Sequence, residues 1–87
     1  VKSETTEDFW NAYYRLSEEH RAAAREAYNV FQQNPNHPSL HFKKLRGHEN
    51  VWSVRVGLKY RAVGRKVGDS IIWAWIGSHN DFDNLFG

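Results

Sequence analysis

The sequence predicts an α+β fold, with an N-terminal helical hairpin packed on a small antiparallel sheet and all residues 1–87 forming one domain. Three observations carry this. Apolar side chains recur at helical spacing as far as Gln33; the segment Asn34-Pro35-Asn36-His37-Pro38 then breaks the pattern. Beyond Pro38, β-rich runs alternate with short turns built on Gly, Asn and Asp.

Thr5 and Thr6 followed by Glu7 and Asp8 mark a helix start, because a hydroxyl caps free N–H groups and acids favour the positive end of the helix dipole. Phe9, Tyr13 and Leu16 form its apolar stripe, widened by Trp10 and Tyr14. Ser17-Glu18-Glu19 is a second start, so the first helix ends near Leu16. In the second, Ala24, Ala27, Tyr28 and Phe31 fall at i, i+3, i+4 and i+7. Strand-like runs follow over 40–45, 51–56, 59–66 and 70–76, separated by turns at 47–50, 57–58 and 67–69. Ile71-Ile72-Trp73-Ala74-Trp75-Ile76 is apolar on both faces and so belongs inside the sheet, covered on each side. Residues 1–4 are a candidate for one more short strand.

Thirteen of the 87 residues are Phe, Trp or Tyr, which gives a small domain much buried area per side chain. The absence of Cys rules out disulfides, Cys-ligated zinc and thiol catalysis, and fits a reducing compartment. With no apolar run long enough to span a bilayer and no signal-peptide pattern, the expected location is the cytoplasm, away from membranes.

The net charge of +2 conceals a segregated pattern. Residues 43–66 hold Lys43, Lys44, Arg46, Arg55, Lys59, Arg61, Arg65 and Lys66 against Glu49 alone, while the flanking segments are net acidic. Such a concentration marks either a phosphate-bearing or acidic partner, or a solvated sheet edge protected from aggregation. Strand alternation puts Lys59, Arg61, Val63 and Arg65 on one face, and Arg55 with Val51 and Ser53. A tight turn through Gly57-Leu58 brings Arg55 and Arg61 onto neighbouring strands. Two guanidiniums there suit phosphate, which they grip through bidentate forks, unless Asp81 or Asp83 pairs with them instead. Trp73 and Trp75, two apart, are expected on one face, as core, partner contact or base-stacking platform.

The order of these elements resembles the RelE/ParE superfamily of toxins from bacterial type II toxin–antitoxin modules. The resemblance rests on Lys43-Lys44-Leu45-Arg46-Gly47, Val54-Arg55-Val56-Gly57, Tyr60-Arg61-Ala62-Val63 and a closing Ile76-Gly77-Ser78-His79, and it covers nearly the whole chain. It implies a RelE/ParE-like fold and a cognate antitoxin that covers the basic surface. In the RelE-like branch it implies ribosome-dependent endoribonuclease action on mRNA; in the ParE-like branch, inhibition of DNA gyrase. A third possibility is a non-catalytic, protein-binding member of the fold.

Metal-independent RNA cleavage requires a base for the 2′-OH, stabilisation of the phosphorane and an acid for the leaving 5′-oxygen. By the resemblance, Arg55 and Arg61 are the charge stabilisers and His79, just past the last strand, the acid or base. Lys43, Lys44, Arg46, Lys59 and Arg65 are expected to meet RNA backbone. Phe82, where many RelE-like nucleases have a Tyr, is able to stack but not to move a proton. His41, His48 and Glu49 are lesser candidates, since a surface His ordinarily has no role. No metal or other cofactor is expected.

Overall fold

The computed structural model describes residues 1–87. The chain runs β1 (Lys2–Thr5), α1 (Glu7–Tyr14), α2 (Glu18–Gln33), a 3-10 turn (Pro38–Leu40), β2 (Lys43–Lys44), β3 (Val51–Val56), β4 (Tyr60–Val67), β5 (Ser70–Ser78) and α3 (His79–Phe86). The five strands form one sheet in the order β1-β5-β4-β3-β2. β2 to β5 pair antiparallel, as expected. The candidate N-terminal strand is present and pairs parallel with β5, from Lys2 opposite Ser70 to Thr5 opposite Trp73, so the sheet is mixed rather than wholly antiparallel. A parallel pair needs a long crossover between its strands, and the helical hairpin with the meander supplies it.

The helix starts follow the capping residues. Thr6 Oγ1 accepts from the Phe9 N–H at 3.1 Å and Ser17 Oγ from the His20 N–H at 3.4 Å, each supplying one of the partners a helix start lacks. Phe31, Val54, Val56, Ala62, Ile71, Trp73 and Ile76 join Tyr13 and Leu40 in the main core between the helices and the sheet. Burial of side chains this size contributes about 1.5–3 kcal/mol each.

Three features depart from the sequence reading. The run at 40–45 is mostly not strand: Leu40 is buried at the end of the 3-10 turn, His41 takes a left-handed conformation (φ 46°, ψ 45°), and only Lys43–Lys44 pairs with β3. Next, Val63 pairs with Trp75 but Gly64 with Trp73, leaving Ala74 unpaired in a bulge. The extra residue reverses the alternation, so Trp73 and Trp75 lie on opposite faces: Trp73 meets Phe31 beneath the helices, and Trp75 meets Phe82 and Phe86 on the other side. Gly64 permits the crowding beside the bulge, for a Cβ there would lie 2.9 Å from the Trp73 ring. Finally, the chain after β5 is helical. Ser78 Oγ accepts from the Asp81 N–H at 3.1 Å to start α3, whose Phe82 and Phe86 form a second small core with Leu45, Val51, Val63 and Trp75. No helix is long and apolar enough to cross a membrane.

Candidate nucleic-acid interface

Arg55 and Arg61 are directly opposed across β3 and β4. Val54, Val56 and Ala62 fill the main core while Val63 joins the core under α3, so both arginines project from the α3 side of the sheet. Like charges directly opposite on paired strands are destabilising, and neither guanidinium is in a salt bridge. Arg55 Nε donates to the Gly57 carbonyl at 3.1 Å, and its Nη1 lies 3.4 Å from His41 Nε2. Arg61 Nη1 donates to Ser53 Oγ at 3.2 Å, while its guanidinium lies 5.3 Å from the centre of the Phe82 ring. Partial burial and then the charge of Arg55 pull the Arg61 pKa below the usual guanidinium value, opposed by Asp83. The group remains cationic at any physiological pH.

His79 is the first residue of α3. Its backbone N–H donates to the Lys59 carbonyl at 2.7 Å, which ties the start of the helix to the β3–β4 turn. Its ring stacks on Phe82, and Nε2 lies 3.4 Å from Asp83 Oδ2, one helical turn on. The carboxylate that was a possible partner for the arginines is thus paired with the imidazole instead.

The three expected catalytic residues line one cleft of about 190 Å³, together with His41, Leu58, Lys59 and Tyr60. A second hollow of about 440 Å³ shares Arg61 and His79 and adds Lys43, Lys44, Arg46, Phe82 and Asp83. Two guanidiniums, four further lysine and arginine side chains and two imidazoles therefore border one continuous, largely exposed surface. Phe82 contributes less than expected as a stacking platform: it is only 9% exposed, packed on Trp75 and Phe86 with Arg61 and His79 over it. Arg65 is exposed farther along β4, opposite Val51 and Ile72, and borders neither hollow. His48 and Glu49 flank a separate loop hollow with Lys44 and Arg46. No three His, Cys, Asp or Glu side chains are grouped to hold a metal ion.

Two cleft residues carried little or no sequence signal. Tyr60 entered the sequence reading only as part of the run Tyr60-Arg61-Ala62-Val63, with no role of its own, yet it pairs with Ser78 in the sheet and so stands beside His79. Its ring stacks on His20, 3.9 Å between centres, and Ser17 Oγ in turn lies 2.8 Å from His20 Nδ1. His41 is brought in by the left-handed turn.

Among solved structures, the chain is similar to the toxin of the RelB–RelE antitoxin–toxin complex from Methanococcus jannaschii, with a TM-score of 0.76 at 20% identity over 97% of this chain and 99% of that one. YafQ from E. coli gives 0.73 at 12% identity over 99% and 98%. The RelBE2 toxin–antitoxin complex of Mycobacterium tuberculosis gives 0.69 at 21% over 88% and 95%. These likenesses show the RelE-like fold. No curated protein sequence matches the chain. The family model of the ParE-like toxin domain matches residues 18–84, most of the chain, and the protein belongs to that family.

Proposed function

We propose that the protein is the toxin of a type II toxin–antitoxin pair and cleaves mRNA on the ribosome as a metal-independent endoribonuclease. The observation that carries this reading is the opposed Arg55–Arg61 pair, free of carboxylate partners, in one cleft with His79. A phosphodiester there meets two forked donors, and the guanidiniums stabilise the charge that builds on its oxygens as the 2′-oxygen attacks. His79 exchanges a proton with the reacting oxygens, oriented by Asp83. Lys43, Lys44 and Arg46 continue the positive surface along the RNA backbone, with Lys59 at the other end. A cognate antitoxin is the expected protein partner, because RelE and RelBE2 relatives of this fold are known in complexes with theirs.

The test is primer extension on an mRNA translated with purified protein. The native chain should produce discrete 3′ ends, and Arg61→Ala and His79→Ala should each slow cleavage by about 10²-fold or more. Cleavage persisting in both variants would remove the site assignment. The ParE-like family match favours one other reading, gyrase inhibition without chemistry. Intact mRNA together with blocked supercoiling by gyrase would establish that reading instead, and inertness in both assays would leave a binding protein of the same fold.

A further inference from the structure

His41 is one of two non-glycine residues with positive φ, the other being Asn50. A left-handed backbone costs a residue with a Cβ about 1–2 kcal/mol. The local structure shows what that conformation achieves. Leu40 on one side is buried and Phe42 on the other packs against the same core, so the imidazole between them is turned outward into the cleft. There Nε2 meets Arg55 Nη1 at 3.4 Å. A guanidinium has donors only, so in this contact the Nε2 side of His41 faces the donors of Arg55 and can take part only as the acceptor. His79 differs. Its Nε2 faces the Asp83 carboxylate, an acceptor only, at 3.4 Å, so this nitrogen can take part there only as a donor. One cleft thus holds a histidine poised to accept a proton and another poised to give one, with Arg55 and Arg61 alongside.

We infer that His41 is the general base of a two-histidine site for RNA transphosphorylation, with His79 as the general acid. The inference rests on the endoribonuclease reading above. When a phosphate takes up the Arg55 N–H groups, the Nε2 lone pair of His41 is released. It removes the proton of the ribose 2′-OH as the 2′-oxygen bonds to phosphorus. The bond from phosphorus to the 5′-oxygen breaks, and His79 protonates the departing oxygen. The products are a 2′,3′-cyclic phosphate and a 5′-hydroxyl end. The two imidazoles exchange protonation states, which solvent restores, and no oxidant, reductant or metal enters the balance.

The experiment measures single-turnover cleavage of ribosome-bound mRNA by the native protein, His41→Asn and His41→Gly. Asn and Gly both tolerate the left-handed backbone, so each variant keeps the turn while removing the imidazole. The expected loss is about 10²–10⁴-fold in both, with unchanged binding of the same mRNA carrying a 2′-deoxy sugar at the cleavage position. Free imidazole should restore a measurable part of the rate to His41→Gly but none to Arg61→Ala, a readout that a purely structural role for His41 does not give. Cleavage by both variants within a few-fold of native, or loss of rate with no imidazole rescue, overturns the assignment of His41 and leaves the nuclease reading intact. Absence of cleavage by the native protein overturns both.

Discussion

Arg61 is held by groups that give its removal a calculable cost to stability, separate from its effect on activity. Ser53 is fully buried, and its hydroxyl has Arg61 Nη1 as its hydrogen-bond partner at 3.2 Å. Truncating Arg61 to Ala leaves that hydroxyl without the bond, at a cost of about 1–3 kcal/mol for an unsatisfied buried group. It also removes the contact between the guanidinium and Phe82, worth about 0.5–1 kcal/mol at a partly exposed site. Against these, relief of the repulsion with Arg55 returns about 0.2–1 kcal/mol. The losses exceed the gain, and Arg61→Ala should be destabilised by about 1–3 kcal/mol, a fall in Tm of about 4–8 °C per kcal/mol for a domain this small. Ser53→Ala removes the hydroxyl itself, so adding it to Arg61→Ala should recover part of the loss. Urea unfolding of the native protein, both single variants and the double variant closes the cycle, with a coupling energy of about 1 kcal/mol expected. Additive effects, or an Arg61→Ala variant more stable than the native protein, would refute this account: charge repulsion would then outweigh the buried hydrogen bond.

Gly64→Ala should destabilise by about 1–3 kcal/mol, seen as a lower urea midpoint with unchanged slope, because the new methyl would lie 3.0 Å from the Ile72 backbone oxygen as well as 2.9 Å from the Trp73 ring. The Glu18 carboxyl is held below its usual pKa, first by the hydrogen bond from Arg25 and then by the charge of Arg25, partly offset by desolvation. A depressed carboxylate contributes stability above its unfolded pKa and loses it as pH falls through the folded one. Glu18→Gln should therefore be less stable than the native protein at neutral pH and converge with it in acid, as followed by thermal melts across that range; a gap that persists unchanged into acid would contradict the ion pair as its source.

The parts of the fold that the sequence made legible are those with local causes. Thr6 and Ser17 cap helices because hydroxyls at those positions satisfy N–H groups three residues on, and the proline-bounded break after Gln33 is a property of Asn34 to Pro38 themselves. The Arg55–Arg61 juxtaposition was legible for the same reason, since a tight turn and two-residue alternation fix it. What escaped depended on partners distant in sequence. The parallel pairing of β1 with β5 joins residues nearly 70 positions apart, and nothing within Lys2–Thr5 specifies its direction. The bulge at Ala74 turns Trp75 to the opposite face from Trp73, and an apolar run gives no sign of where alternation is interrupted. α3 did leave a trace, Ser78 three residues before Asp81 with Phe82 and Phe86 at i and i+4, but placing His79 simply past the last strand, with no element after it, masked it.

That missed helix explains why the site has the form it does. Without α3, Val63, Leu45 and Trp75 would leave an apolar sheet face open to water beside the arginine pair. Phe82 and Phe86 close that face, and the burial this demands is what anchors the first turn of the helix, where His79 and Asp83 stand. The imidazole is thus positioned by packing beneath it rather than by a loop, while His41 is positioned from the other core by Leu40 and Phe42. The sheet keeps Arg55 and Arg61 between these two anchored histidines against their mutual repulsion. The two cores therefore do more than stabilise the chain: each fixes one side of the cleft, so loosening either should change the geometry of the cleft before it unfolds the protein.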